Sequence, residues 1–312
     1  MANGQNNLKE PARGPAQSRL IASVLGMKIR TPLIVASGPI TDGGERIRRA
    51  FNAGAGAVVS KTIYCEEQPK ILERTALFGT GMLNTTLYSR RPLDVWRSEL
   101  RRLKGEGIAV IPNLHASTPD KLGALAAQIA EIGFPVIELG ISCPHDSGHM
   151  RAAPSKLAQY VASARRRVGT AITVKLSASD GIYSQAEAAI GEGADALSVS
   201  DTLPGVLVDT ERWQLTCSGV AGYSGPGIKP IVLNAIYNLR SSGISCPIIG
   251  IGGVETAEDV LQYLYVGACA VQAYTIFNGS RFTKISKINN DLDRWLVTKN
   301  TSIERLVSGN ES

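Results

Sequence analysis

Phe134-Pro135-Val136-Ile137-Glu138-Leu139-Gly140-Ile141-Ser142-Cys143-Pro144-His145 runs from an apolar stretch into a small, polar, thiol-bearing turn closed by proline. A near-continuous apolar run of this length predicts a parallel strand buried on both faces. The turn predicts that the strand hands Cys143 to a loop at its C-terminal end. In a barrel of alternating strands and helices, chemistry sits at that end. A free cysteine is most often a small buried apolar residue. Ser142 and Pro144 beside it, and the strand-end position, favour a thiol that takes a proton from carbon or returns one.

The same pattern repeats outward in both directions. Apolar strands are predicted at 33–37, 57–62, 109–115, 136–143, 171–177, 196–202, 247–253 and 270–276. Amphipathic helical segments lie between and after them, near 43–53, 93–106, 118–133, 154–168, 184–193, 229–243, 255–266 and 281–298. Ser117-Thr118-Pro119-Asp120 reads as a capped helix start with proline in its first turn, and Thr256, followed by Glu258-Asp259, begins another. The alternation predicts an α/β chain folded as a parallel (β/α)8 TIM barrel, a single domain over 19–305 with its active-site loops at the C-terminal face. A doubly wound sheet is the structural alternative. Residues 1–18 are polar and read as a disordered leader, and 306–312 as a flexible tail. Two connections, 64–94 and 203–228, are longer than a barrel requires, and long loops at that face shape or cover a site.

The 312 residues suit one large domain, and 44% hydrophobic with 19% charged residues is ordinary for a soluble globular protein. No apolar run reaches the roughly 18 residues that span a bilayer, and 1–18 lacks the apolar centre of a signal peptide, so no membrane partner and a cytoplasmic location are expected. The net charge of +6 is dispersed, and aromatics make up only 5%. A nucleic-acid surface would need a longer basic stripe with aromatics, so no nucleic-acid partner is expected. The excess of positive charge suits anionic ligands such as a phosphate. Five cysteines without a C-x-x-C pair argue against a disulfide framework, a zinc ribbon or a cysteine-held iron–sulfur cluster. With three histidines in the chain, no metal site is expected.

Two glycine-rich turns and the end of the last strand converge on one kind of ligand. Gly250-Ile251-Gly252-Gly253 precedes a helix, Ser224-Gly225-Pro226-Gly227 precedes another, and the last strand ends in Gln272-Ala273-Tyr274-Thr275. Backbone amides at such turns can approach an anion, and loops after strands 7 and 8 form the common phosphate site of these barrels. Lys61-Thr62 and Lys175 close two strands. Matched lysines at the mouth favour stabilising negative charge on a reduced flavin or an oxyanion; solvent-directed snorkelling and Schiff-base chemistry are the competing readings. Asn84, in the first long loop, could bind a ligand amide or cap its turn.

Taken in order, these pieces resemble the dihydroorotate dehydrogenase family, and the similarity extends to the flavin barrel domain of dihydropyrimidine dehydrogenase. The matching motifs are Ala36-Ser37-Gly38, Ser60-Lys61-Thr62, the Asn84 loop, Pro112-Asn113, Ile141-Ser142-Cys143-Pro144, Val174-Lys175-Leu176, Tyr223-Ser224-Gly225, Gly250-Ile251-Gly252-Gly253 and Val271-Gln272. The resemblance implies FMN at the C-terminal mouth. Ser37, Lys61, Thr62, Asn113 and Lys175 would contact the isoalloxazine or ribityl parts, and Gly225, Gly252, Gly253, Tyr274 and Thr275 would hold the phosphate. Cys143 would be the catalytic acid/base, with Lys61 in a catalytic role beside it. The cysteine places the chain with the soluble branch, whose members are often homodimers; the membrane-associated branch has serine there.

Asn84, Ser142, His145, Asp201 and Thr202 would meet the substrate, and here the chain departs from the family. Asparagines are expected where Gly140, His145 and Asp201 stand, and Pro144-His145 is similar to dihydropyrimidine dehydrogenase. Gly140 deletes a donor–acceptor pair, and Asp201 turns a donor-capable amide into an acceptor. An ionised carboxylate beside an anionic orotate would repel it. The expected activity is therefore FMN-dependent redox of a carbon–carbon bond next to a carbonyl, in a dihydropyrimidine-like or related small cyclic substrate. A small acceptor or an electron-transfer partner would take the electrons. The alternatives are a genuine dihydroorotate dehydrogenase of pyrimidine biosynthesis, a catalytically silent FMN-binding protein, and a flavin-free barrel lyase or isomerase.

Overall fold

The computed structural model describes residues 19–68, 70, 72–141, 153–217, 219–279 and 281–309. The leader expected at 1–18 lies outside the described residues, as do Ser142, Cys143 and His145. Within them the strands of the central sheet are β1 (Leu33–Val35), β2 (Val58–Val59), β3 (Val110–Ile111 and Asn113–Leu114), β4 (Val136–Leu139), β5 (Ala171–Ser177), β6 (Ala196–Asp201), β7 (Ile248–Ile251) and β8 (Ala270–Ala273). All their pairings are parallel. Val110 and Ile111 pair with β2, whereas Asn113 and Leu114 pair with β4, so the two halves of β3 close the sheet into a barrel. Pro112 divides β3 because it has no N–H to give a ladder. Its carbonyl still accepts from Glu138 N at 2.9 Å, and Ser60 Oγ accepts from Asn113 N at 2.9 Å. The result is the (β/α)8 barrel expected from the strand–helix alternation.

The helices are α1 (Gly44–Asn52), α2 (Leu93–Gly105), α3 (Pro119–Ala130), α4 (Pro154–Arg165), α5 (Ile182–Gly191), α6 (Lys229–Ser241), α7 (Ala257–Tyr265) and α8 (Thr283–Thr298). Both sequence-predicted caps are present. Thr118 Oγ1 accepts from Lys121 N, and Thr256 forms a capping box with Asp259. The strands are buried at nearly every position, because helices cover one face and the barrel interior the other. Behind β8, α9 (Ile303–Ser308) runs past the boundary expected at 305; Ile303 N bonds Arg19 O at 2.9 Å. An antiparallel hairpin, Ala22–Val24 with Met27–Ile29, leads into β1 and alternates buried Ala22, Val24, Met27 and Ile29 with exposed Ser23 and Lys28.

The two long connections do not act separately. Thr75–Phe78 and Gly81–Asn84 from the first join Leu203–Gly205 and Ala221–Ser224 from the second in one four-stranded antiparallel sheet. This sheet has its own small core of Leu83, Cys217 and Ala221, with Ala76, Leu207 and Tyr223 packed against it. It brings Asn84 and Thr202, 118 residues apart in sequence, to the same face of the barrel.

Candidate active site

At the C-terminal mouth of the barrel lies one cleft. Every described residue expected at the site lines it: Ser37, Lys61, Thr62, Asn84, Asn113, Lys175, Asp201, Thr202, Gly225, Gly252, Gly253, Tyr274 and Thr275. They come from the ends of β1, β2, β3, β5, β6, β7 and β8 and from the four-stranded sheet. Gly140, just past β4, lines it too, and the described chain ends one residue later at Ile141.

The register between β5 and β6 shifts after Leu176, so that Ser177 pairs with Asp201. Asp201 Oδ1 then sits 3.5 Å from Lys175 Nζ and accepts from Thr202 N at 2.8 Å. The lysine expected to face negative charge on a flavin therefore shares its charge with a carboxylate. Ser200 Oγ, on the same strand end, accepts from Ala178 N at 2.8 Å. Asn84 is held within its sheet: Nδ2 donates to Gly222 O at 3.3 Å and Oδ1 accepts from Thr86 Oγ1 at 2.9 Å. Arg90 and Arg91, just past the Asn84 loop in sequence, pair with Glu73 and with Glu99 and Asp42, and neither lines the cleft.

The glycine turns converge as their sequence implied. Gly252 (φ +122°) and Gly253 (φ +67°) adopt backbone that L side chains rarely take. A Cβ on Gly253 would stand 2.7 Å from Lys229 Cβ and 3.0 Å from Gly225 O, so two loop backbones meet at the start of α6. Amides at a helix N-terminus favour an anion. Lys229 itself is ion-paired with Asp259. Burial would raise the Asp259 carboxyl, but Lys229, the N–H groups of Glu255 and Thr256 and the Thr256 hydroxyl hold it below the usual carboxylate range. Tyr274 is a wall of the cleft: a Cβ on Gly38 would lie 2.0 Å from its ring. Burial pushes its hydroxyl up to about 12, so it stays neutral at working pH. Thr275 Oγ1 donates to Ser224 Oγ at 2.9 Å, which adds Ser224 to the cleft's polar wall.

Sequence reasoning assigned no role to Glu138. It is fully buried inside the barrel and accepts from Asn113 Nδ2 (2.7 Å), Ser198 Oγ (2.7 Å) and Gln272 Nε2 (2.9 Å). Asn113 Oδ1 and Gln272 Oε1 are left buried without a hydrogen-bond partner. His115 was likewise unassigned. Its Nδ1 lies 2.7 Å from Gly140 O, and its ring stacks on Tyr88 at 4.6 Å. Among the other cysteines, burial raises the thiols of Cys65 and Cys246 and pushes Cys269 up to about 11, which favours the protonated thiol.

These residues fit a flavin mononucleotide. The glycine turns leave room for a phosphate against backbone amides, two lysines line the mouth, and a buried acceptor on Asn113 awaits a donor. Among the described residues no group of three or more His, Cys, Asp or Glu could hold a metal, and no helix is long and apolar enough to cross a membrane.

Comparison with known proteins agrees with this geometry. A family model described as dihydroorotate dehydrogenase matches residues 19–296. The catalytic subunit of dihydroorotate dehydrogenase B (NAD(+)) from Pyrococcus abyssi is 31% identical over 300 residues, covering 93% of this chain and 98% of that protein. The protein of the same name from Trichlorobacter lovleyi is 33% identical over 299 residues, covering 91% and 95%, and that from Thermoplasma acidophilum 31% over 288 residues, covering 88% and 94%. The chain belongs to the dihydroorotate dehydrogenase family, FMN-binding oxidoreductases that act on CH–CH donors.

Proposed function

We propose that the protein carries out redox at a carbon–carbon bond next to a carbonyl in a small dihydropyrimidine-like ring, and that this ring presents an N–H or a cation, rather than a carboxylate, to Asp201. The observation that carries the reading is the Lys175–Asp201 pair at 3.5 Å on the wall of the cleft. A carboxylate accepts and does not donate. It also neutralises the neighbouring lysine, so this wall offers an incoming anion little net attraction. The missing side chain at Gly140 widens the cleft beside Asn113.

When bound, FMN supplies hydride exchange with a substrate carbon. The chain's own residues supply the rest. Gly225, Gly252, Gly253, Tyr274 and Thr275 would hold the FMN phosphate, while Ser37, Lys61, Thr62, Asn113 and Lys175 would contact the isoalloxazine or ribityl parts. Asn84, Ser142, His145, Asp201 and Thr202 orient the substrate. Cys143 takes the proton from the adjacent carbon in oxidation and returns it in reduction. Cys143→Ala is expected to stay yellow with stoichiometric FMN and to lose general acid/base catalysis, about 10²–10⁴-fold in turnover; full turnover in that variant would remove Cys143 from the chemistry.

A second reading, oxidation of dihydroorotate itself, is favoured by the printed names of the relatives, which share about 30% identity along nearly the whole chain. Those relatives are named catalytic subunits of NAD(+) enzymes. That supports a partner subunit that takes the electrons; the homodimer rests on the family resemblance alone. Light scattering on the purified 33.1 kDa chain checks the homodimer, which a monomeric mass would exclude.

A further inference from the structure

The buried carboxylate of Glu138 has no part in the chemistry described above, yet it controls one group that has. It lies on β4 inside the barrel, is fully buried, and does not line the cleft. Three donors from three other strands converge on it: Asn113 of β3, Ser198 of β6 and Gln272 of β8. A carboxylate is acceptor-only, so each neighbour must turn a hydrogen toward it. For Ser198 this uses its single proton, and Thr173, whose Oγ1 is 3.0 Å away, then donates to Ser198. For Asn113 it fixes the amide: Nδ2 faces Glu138, and Oδ1 faces the other way. Oδ1 is buried without a partner, 3.1 Å from where a Cβ on Gly140 would stand, and both residues line the cleft. A buried acceptor without a partner is costly, and native structures seldom leave one so unless a ligand or water completes it.

We propose that Glu138 is a positioning residue that locks the Asn113 amide with its oxygen toward the cleft, so that the bound ring is selected for an N–H at that point. This rests on the reading that the cleft holds the flavin. Oxidised isoalloxazine carries a single ring N–H, on its imide, and that N–H is the donor the locked oxygen accepts. Without the carboxylate, the amide is free to turn over and offer its NH₂ group.

The test compares binding of two probes to apoprotein by quenching of flavin fluorescence: FMN, and FMN methylated on the imide nitrogen. Wild type is expected to prefer FMN by about tenfold or more, the scale of one buried hydrogen bond. Glu138→Gln, whose side-chain NH₂ can donate to Asn113 Oδ1, is expected to lose most of that preference while still binding both probes. A merely structural role would weaken both probes together and leave the ratio intact. Retention of the wild-type ratio in Glu138→Gln overturns the proposal, as does a wild type that does not discriminate. A wild type that binds neither probe instead defeats the reading of the cleft as a flavin site. If Glu138→Gln does not fold, Glu138→Asp, which draws the carboxylate back from Asn113 by one methylene, is read by the same ratio. Ser198→Ala removes a different donor, leaves the Asn113 clamp in place, and is expected to keep the preference.

Discussion

Asp259 shows how closely one carboxylate ties together the start of α6 and the start of α7. It accepts from Glu255 N at 2.9 Å, Thr256 N at 2.8 Å and Thr256 Oγ1 at 2.9 Å, and pairs with Lys229 at the start of α6. Its folded pKa lies below the ordinary value. The stability it contributes is therefore complete above the unfolded carboxyl's pKa, roughly 4, and is lost as pH falls through the lower folded value. Asp259→Asn should destabilise the protein at pH 7 by about 1 kcal/mol, the worth of a helix cap. The gap to wild type should close in acid below about pH 4; urea titrations at the two pH values check this. At this scale the sequence was informative wherever a residue closes a strand or starts a helix, which is how Lys61, Lys175, Gly252 and Gly253 could be found. Glu138 shows where it was not. A carboxylate within a strand buried on both faces was the available signal, but its partners sit on β3, β6 and β8, and nothing local names them.

The elements divide by the range of their pairing. Barrel strands and helices were legible because each carries its own pattern: an apolar run, an amphipathic period, a Thr cap. The four-stranded sheet over the mouth was not. Ser224 pairs with Met82, 142 residues away, and the stretch Gly81–Asn84 shows no strict alternation of burial. Its length announced a site-shaping loop without revealing that two loops pair. Its small core meets the barrel's only through half-buried residues, Tyr223 among them, so disturbing it should affect the site more than the fold. A Cβ on Gly81 would stand 2.5 Å from the Tyr223 ring. Gly81→Val should lower retained FMN several-fold and move the melting temperature of the apoprotein by no more than a few degrees. A large drop in apoprotein melting with normal FMN content would show that the small core supports the fold rather than the site.

For the whole molecule, stability resides in the layer between helices and barrel. Trp96 on α2 is fully buried, and its Nε1 donates to Ser89 Oγ at 3.0 Å, which in turn donates to Asp42 at 2.7 Å. That chain of contacts joins α2, the end of the first long loop and the segment before α1. Trp96→Ala should cost about 3–5 kcal/mol of unfolding free energy, measured by urea denaturation of the apoprotein; a loss under 1 kcal/mol would mean that the layer repacks without it.

Lys175 and Asp201 pair on the wall of the cleft, and the central claim is that this wall refuses dihydroorotate. The direct measurement is anaerobic stopped-flow mixing of the yellow protein with dihydroorotate, followed by the loss of flavin absorbance. Wild type should bleach far more slowly than a dedicated enzyme, and Asp201→Asn, which restores an amide and frees Lys175 from its 3.5 Å partner, should bleach at least tenfold faster. Bleaching of the wild type at the roughly 1–10³ per second typical of dedicated enzymes, unchanged by Asp201→Asn, would contradict the account.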